Sequence, residues 1–201
     1  MAASIHEAEG FREPRIAQLI FSSPQSAIFW LVVRLYVGWQ WLQAGYEKFT
    51  NPAWFGAKAG SGMGGFIAGA LKNTTGDHPG VQGWYGTFLT AVVQPHLAVW
   101  SYAITIGEML VGLGLIFGLF TGFAAFCGGL MNANYLMAGT VSTNPALFIL
   151  ATWLVLAWRA AGLFGLDRYV LPLLGVPGQP GRLLRGGQRK VHLHHAVTPA
   201  I

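Results

Sequence analysis

Apolar residues run along this chain in long stretches, with the charged residues displaced to their edges. Crossing the hydrocarbon core of a bilayer as a helix takes about 20 mostly apolar residues. Four stretches meet that need: Ala27 to Tyr46, Leu97 to Phe120, Thr121 to Thr140 and Pro145 to Leu166. Lipid offers the backbone no hydrogen-bond partner, so each is predicted to be helical. The links among the last three are short, the Gly118–Gly122 region and Gly139 to Asn144. Such links force antiparallel neighbours. The expected fold is all-α, an integral membrane four-helix transmembrane bundle. It divides into an N-terminal segment 1–26, a transmembrane domain 27–174 and a basic tail 175–201.

The segment from Glu47 to His96 is the large connection between spans. Met63 to Leu71 and Trp84 to Val93 read as two short helices, separated by the turn-rich run Asn73 to Gly80. Trp84, Tyr85 and Phe88 suit a helix lying at the headgroup level. The whole segment reads as a cap over the bundle, touching either lipid alone or a partner.

Composition supports the membrane reading. Only 9% of residues are charged, against about 25% in a soluble domain. The net charge of +5 sits mostly near the termini, at Arg12, Arg15, Arg168, Arg182, Arg185, Arg189 and Lys190. The large connection holds Lys48, Lys58 and Lys72. That bias marks both termini as cytoplasmic and speaks against nucleic acid as a partner. No short apolar core with a cleavage site precedes residue 27, so no cleavable signal peptide is expected.

Several chemistries are excluded. Cys127 is the only cysteine, so neither an intrachain disulfide nor a cysteine-held metal cluster can form. No histidine falls within a predicted span, which rules out a bis-histidine haem. His192, His194 and His195 read as a solvated or lipid-contacting tail, and no metal site is expected. There is no phosphate-binding glycine motif and no inverted repeat, which ranks a transporter last.

Polar groups at membrane depth are costly and become the functional candidates. They are Arg34, Glu108, Asn132, Asn134 and Arg159. Counted from the inner ends, Arg34 and Arg159 lie roughly 10 Å deep and Glu108 roughly 18 Å deep. An Arg34–Glu108 pair is therefore predicted inside the bundle. Glu108 reads either as a proton-handling carboxylate or as half of a pair that fixes helix register. Arg159 reads as a snorkelling residue. Asn132 and Asn134 are two apart on a helix, so at most one can join the same pocket. Gly114, Gly118 and Gly122 suggest a smooth packing strip on the second helix.

The run RLYVGWQWLQAGYEKF carries Arg34, Gly38, Gly45 and Lys48, and GEMLVGLGLIFGLFT carries Gly107 and Glu108. NANYLMAGTVSTNPALF and GLFGLDRYVLPLLG follow in order. Together, over Ala27 to Gly175, these resemble the DoxX/DoxD family of small membrane proteins. The long first connection is closer to the DoxD-type subunit of thiosulfate:quinone oxidoreductase. The resemblance implies a membrane subunit passing electrons from a sulfur compound to the quinone pool. Glu108 and Arg34 are then the candidate catalytic residues. Trp39, Trp41, Tyr46 and Asn132 are the candidate quinone pocket, a bound quinone being the one ligand expected in the absence of an intrinsic cofactor. The lipid bilayer and other membrane subunits are the implied partners. A non-catalytic accessory or scaffold subunit of a larger electron-transfer complex is the alternative.

Overall fold

The computed structural model describes residues 14–176; expectations placed on 1–13 and 177–201, including those for the tail histidines, lie outside it. Among the described residues the chain is helical and contains no strand. A short α1 (Arg15–Ser22) leads into α2 (Ala27–Phe49), followed by α3 (Ser61–Lys72) and α4 (Gly83–Phe88). Then come α5 (Leu97–Phe117), α6 (Thr121–Met137), α7 (Asn144–Leu156), α8 (Trp158–Gly162) and α9 (Asp167–Leu173).

The four predicted apolar stretches fall on α2, α5, α6 and the α7–α8 pair, with different ends. Gly118, at φ 64°, closes α5 in the left-handed conformation that glycine tolerates. α6 stops at Met137, and the fourth stretch breaks at Ala157 into two helices. Among the described residues, one continuous helix, Gly83–Phe117, is by itself long and apolar enough to cross a membrane. The bent pair Arg15–Ser22 and Pro24–Phe49, with a 46° bend, supplies a second if counted as one span. Length alone therefore does not establish the expected four crossings. Trp84–Val93 is helical as expected, and the helix runs on into α5.

α2 and α5 pack antiparallel at close range, and glycines set the register. Gly38 meets Leu115 and Ile116, Gly45 meets Met109, and a Cβ on Gly112 would lie 2.5 Å from the Leu42 backbone nitrogen. The expected Gly114–Gly118–Gly122 strip is not formed, because Gly118 ends α5 and Gly122 belongs to α6. One apolar core fills the bundle around Trp30, Val37, Trp41, Leu115 and Leu154. A second, under α3 and α4, gathers Met63, Ile67, Val81, Tyr85 and Leu89 over Ala138. That second core caps one end of the bundle.

The distribution of polarity is inverted relative to a water-soluble bundle. Arg34, Ser101, Thr105, Glu108, Thr121 and Asn132 are all buried. The outer faces expose Val32, Leu35 and Trp39 on α2, Ile106, Leu110 and Leu113 on α5, and Phe123, Phe126 and Leu130 on α6.

Candidate functional site

At the capped end, the α2–α5 register brings the last turn of α2 beside the middle of α5. The Lys48 ammonium donates to both Glu108 carboxylate oxygens, at 2.9 and 2.8 Å. From α6 the Tyr135 hydroxyl donates to Glu108 Oε1 at 2.6 Å. These are short, charge-assisted bonds, the stronger class of hydrogen bond. The Glu108 side chain is 1% exposed and that of Lys48 21%. Lys48 also lies 5.4 Å from the centre of the Trp54 ring, a cation–π contact. Trp54 is fixed in turn: the Ser101 hydroxyl donates to its carbonyl at 2.6 Å, and Gly62 leaves room for its indole.

A cavity of about 380 Å³ opens beside this clasp, bounded by α2, α6, α7 and Phe66 of α3. Its inner wall is aromatic. Trp41 and Tyr135 stack at 6.4 Å, and Phe66 meets Tyr135 edge-on at 6.0 Å. Its mouth is polar, formed by Gln40, Gln43 and the turn that contains Ser142. Ser142, at φ 36°, holds a left-handed conformation uncommon for a non-glycine residue.

Two side chains in this wall lack partners. The Asn132 amide is fully buried, and neither its nitrogen nor its oxygen has a hydrogen-bond partner. The Trp41 indole N–H is equally unpaired. An unsatisfied buried polar group costs about 1–3 kcal/mol, so the Asn132 amide in the wall of this cavity is the group that a ligand there could satisfy, whereas the Trp41 N–H edge lies against Gly128 of α6. The wall offers the Asn132 amide, with its N–H donors and one carbonyl acceptor, beside the flat rings of Trp41 and Tyr135.

The structure thus brings together three of the six sequence-predicted site residues, Glu108, Trp41 and Asn132. It places the others elsewhere. Trp39 and Tyr46 are exposed on the outside of α2, away from the inward face that carries Trp41. Arg34 does not pair with Glu108. The register sets Glu108 level with Gly45, eleven residues along α2 from Arg34, or about 17 Å. Counting depth from assumed inner ends missed this, because those ends are not level: Arg34, seven residues into α2, already lies beside Gly118 at the end of α5. Asn134 turns away as well, accepting a hydrogen bond from the Tyr85 hydroxyl at 3.2 Å. Tyr135 and the Lys48–Glu108 pairing were missed. Their signal was present: Tyr135 lies three residues after Asn132, on the same helix face, and Lys48 stands in the quoted first-helix run.

Arg34 belongs to the opposite end. Its guanidinium packs against Gly118 and Gly165 and donates to the Phe164 carbonyl at 3.4 Å. Nearby, the Asp167 carboxylate accepts the backbone N–H groups of Phe120 and Thr121 at 2.6 and 2.9 Å. It caps α6 at the positive end of the helix dipole, and Arg34 attracts it electrostatically. This cluster ties the α5–α6 turn to the α8–α9 turn, which accounts for the glycines and aspartate of the GLFGLD run.

No curated protein and no solved structure matches the chain. The family described as TQO small subunit DoxD matches residues 29–178. That stretch takes in α2 through α9, the Lys48–Glu108–Tyr135 clasp and the cavity beside it, and the chain belongs to the membrane-associated DoxD family.

Proposed function

We propose that this protein is a multi-pass membrane subunit of a quinone-linked oxidoreductase drawing on a thiosulfate-type sulfur donor, and that the slot beside Glu108 holds the quinone head. The observation that carries the reading is the unpaired Asn132 amide in the wall of an aromatic cavity. The amide presents an N–H suited to a carbonyl oxygen, and the rings of Trp41 and Tyr135 suit a flat head.

Charge balance separates the two substrates. Glu47 and Glu108 line the cavity against a single cation, Lys48, already engaged with Glu108. A slot of net negative charge suits a neutral carbonyl compound and repels a free dianion such as thiosulfate. Oxidation of the sulfur donor is therefore assigned to another surface or to a partner subunit.

When bound, a quinone takes up two electrons and two protons. The chain's residues provide for the protons: the Tyr135 hydroxyl stands at the wall and Glu108 accepts its hydrogen bond. Lys48, partly exposed, links that carboxylate to the polar mouth. The multi-pass part of the proposal rests on the inverted polarity of the bundle, with charges inside and large apolar residues outside.

A non-catalytic accessory role is the second reading. It is favoured by the way Lys48, Glu108 and Tyr135 satisfy one another without a ligand, as a purely structural clasp would. Asn132→Leu distinguishes the two. The substitution removes an unpaired buried amide, so the melting temperature is expected to hold or rise, while co-purifying quinone and quinone reduction fall at least tenfold. Quinone content equal to the wild type in a folded Asn132→Leu protein would remove the slot assignment.

A further inference from the structure

The end opposite the cap carries features that the quinone slot does not use. The described acidic residues other than Asp167 all lie toward the capped end, at Glu47, Asp77 and Glu108. The opposite end holds Arg15, Arg34, Arg159 and Arg168, and its one described acid, Asp167, is buried and engaged by two backbone amides. Arg34 is buried beside that aspartate, which leaves Arg15, Arg159 and Arg168 exposed.

Two cavities meet between these cations. One, of about 180 Å³, lies between α8 and α9 and is rimmed by Arg159 and Arg168. The other, of about 350 Å³, runs from the α5–α6 turn to α7 and is lined by Phe120, Phe123 and Val155. They adjoin at Trp158, Asp167 and Leu171, which line both, and are taken together as one furrow with a cationic end and an apolar end. The Arg159 guanidinium rests 5.1 Å from the centre of the Trp158 ring. An arginine held on an indole at the edge of an apolar groove suits the boundary between headgroups and acyl chains.

We propose that this furrow binds an anionic phospholipid, with its phosphate on Arg159 and Arg168 and its acyl chains along Trp158, Leu171 and Phe123. Charge complementarity selects the headgroup: two exposed guanidiniums face no free carboxylate in the furrow, and arginine forks match phosphate oxygens. The graded lining selects an amphiphile over a polar peptide. The site stands apart from the quinone slot, and its test reads no redox activity.

The test uses the full chain purified in a neutral detergent, with dioleoyl phosphatidylglycerol and dioleoyl phosphatidylcholine as probes and native mass spectrometry as the readout. The wild type is expected to retain phosphatidylglycerol about tenfold better than phosphatidylcholine. The double substitution Arg159→Gln with Arg168→Gln is expected to abolish that preference. Leu171→Trp, which fills the furrow, is expected to lower phosphatidylglycerol retention several-fold. Arg15→Gln, at the same end but outside the furrow, leaves retention unchanged. Melting in lipid-free detergent checks that each variant is folded. Equal retention of the two lipids by the wild type, or undiminished phosphatidylglycerol retention in the folded double variant, overturns the site. Loss in the double variant with full retention in Leu171→Trp reduces it to surface attraction and overturns the furrow.

Discussion

Glu108 and Lys48 are unequal partners, the carboxylate side chain 1% exposed and the ammonium 21%. Removing the lysine leaves a buried carboxylate with only the Tyr135 hydroxyl to stabilise it. Breaking a buried pair from one side costs about 3–5 kcal/mol, and the adjacent cavity, which gives Glu108 a route to water, favours the lower end. Removing the carboxylate frees a lysine that already reaches solvent, for a cost of about 1–2 kcal/mol, chiefly the lost hydrogen bonds. Lys48→Met is therefore expected to destabilise more than Glu108→Leu, and the double variant less than the sum of the two. Denaturation of the three proteins in one detergent checks this, and the reverse order of the single variants would contradict the clasp. Arg34 serves as the control: a cycle of Arg34→Gln with Glu108→Gln is expected to show coupling within about 0.5 kcal/mol, as for distant sites. The cost of burying charge made Arg34, Glu108 and Asn132 visible in the sequence. It could not choose their partners, because partner choice follows helix register, and Lys48 and Arg34 lie fourteen residues apart on α2, about 21 Å.

At the scale of elements, register is a property of glycines. Gly112 faces the Leu42 backbone so closely that a methyl group cannot be added without moving α2 from α5. The Lys48–Glu108 clasp spans that same interface, so Gly112→Ala is expected to cost about 1–3 kcal/mol, as overpacking does, and to weaken quinone retention with it. Gly69, on the exposed side of α3, meets nothing within 4 Å. Gly69→Ala is expected to stabilise by about 0.5–1 kcal/mol through lost chain entropy and to leave the slot unchanged. Thermal melts with quinone content measured alongside test both; a neutral Gly112→Ala would show that the α2–α5 contact is looser than the structure has it. Apolar run length located the helices, and the turn-rich segments located most of their limits. The finer errors have one cause. Apolar residues continue through Gly118 and Ala157, where the backbone turns, so hydropathy has nothing to register. The glycine pattern misled for the same reason, since residues spaced by four share a face only while the helix continues through them.

At the scale of the whole molecule, helix length and surface polarity must be weighed together. The continuous Gly83–Phe117 helix has 35 residues, about 52 Å at 1.5 Å per residue. It exceeds the hydrocarbon core of about 30 Å, so in a bilayer its α4 end is expected to project beyond the core with the cap. α6, with 17 residues, comes to about 26 Å and sits at the lower limit for a crossing. Length leaves α6 and the α7–α8 pair undecided, and the proposal of four crossings rests for them on their apolar outer faces: Phe123, Phe126, Leu130, Phe148, Ile149 and Trp153 are exposed. A contiguous surface of that kind is unstable in water and is matched by lipid. On that proposal four crossings put the cap on one side and the ends of the described chain on the other, and the excess of arginine predicts that those ends face inward. In a Cys127→Ala background, Asp77→Cys on the capping turn is expected to react with a membrane-impermeant maleimide in intact cells. Arg15→Cys and Leu174→Cys are expected to react only after permeabilisation. Labelling of only one end from outside would replace the four-crossing arrangement, and labelling of both ends with protection of position 77 in a folded protein would invert it. The lipid furrow would then lie on the wrong side of the membrane for its proposed ligand, whereas the slot beside Glu108, buried within the bundle, would keep its chemistry in either orientation.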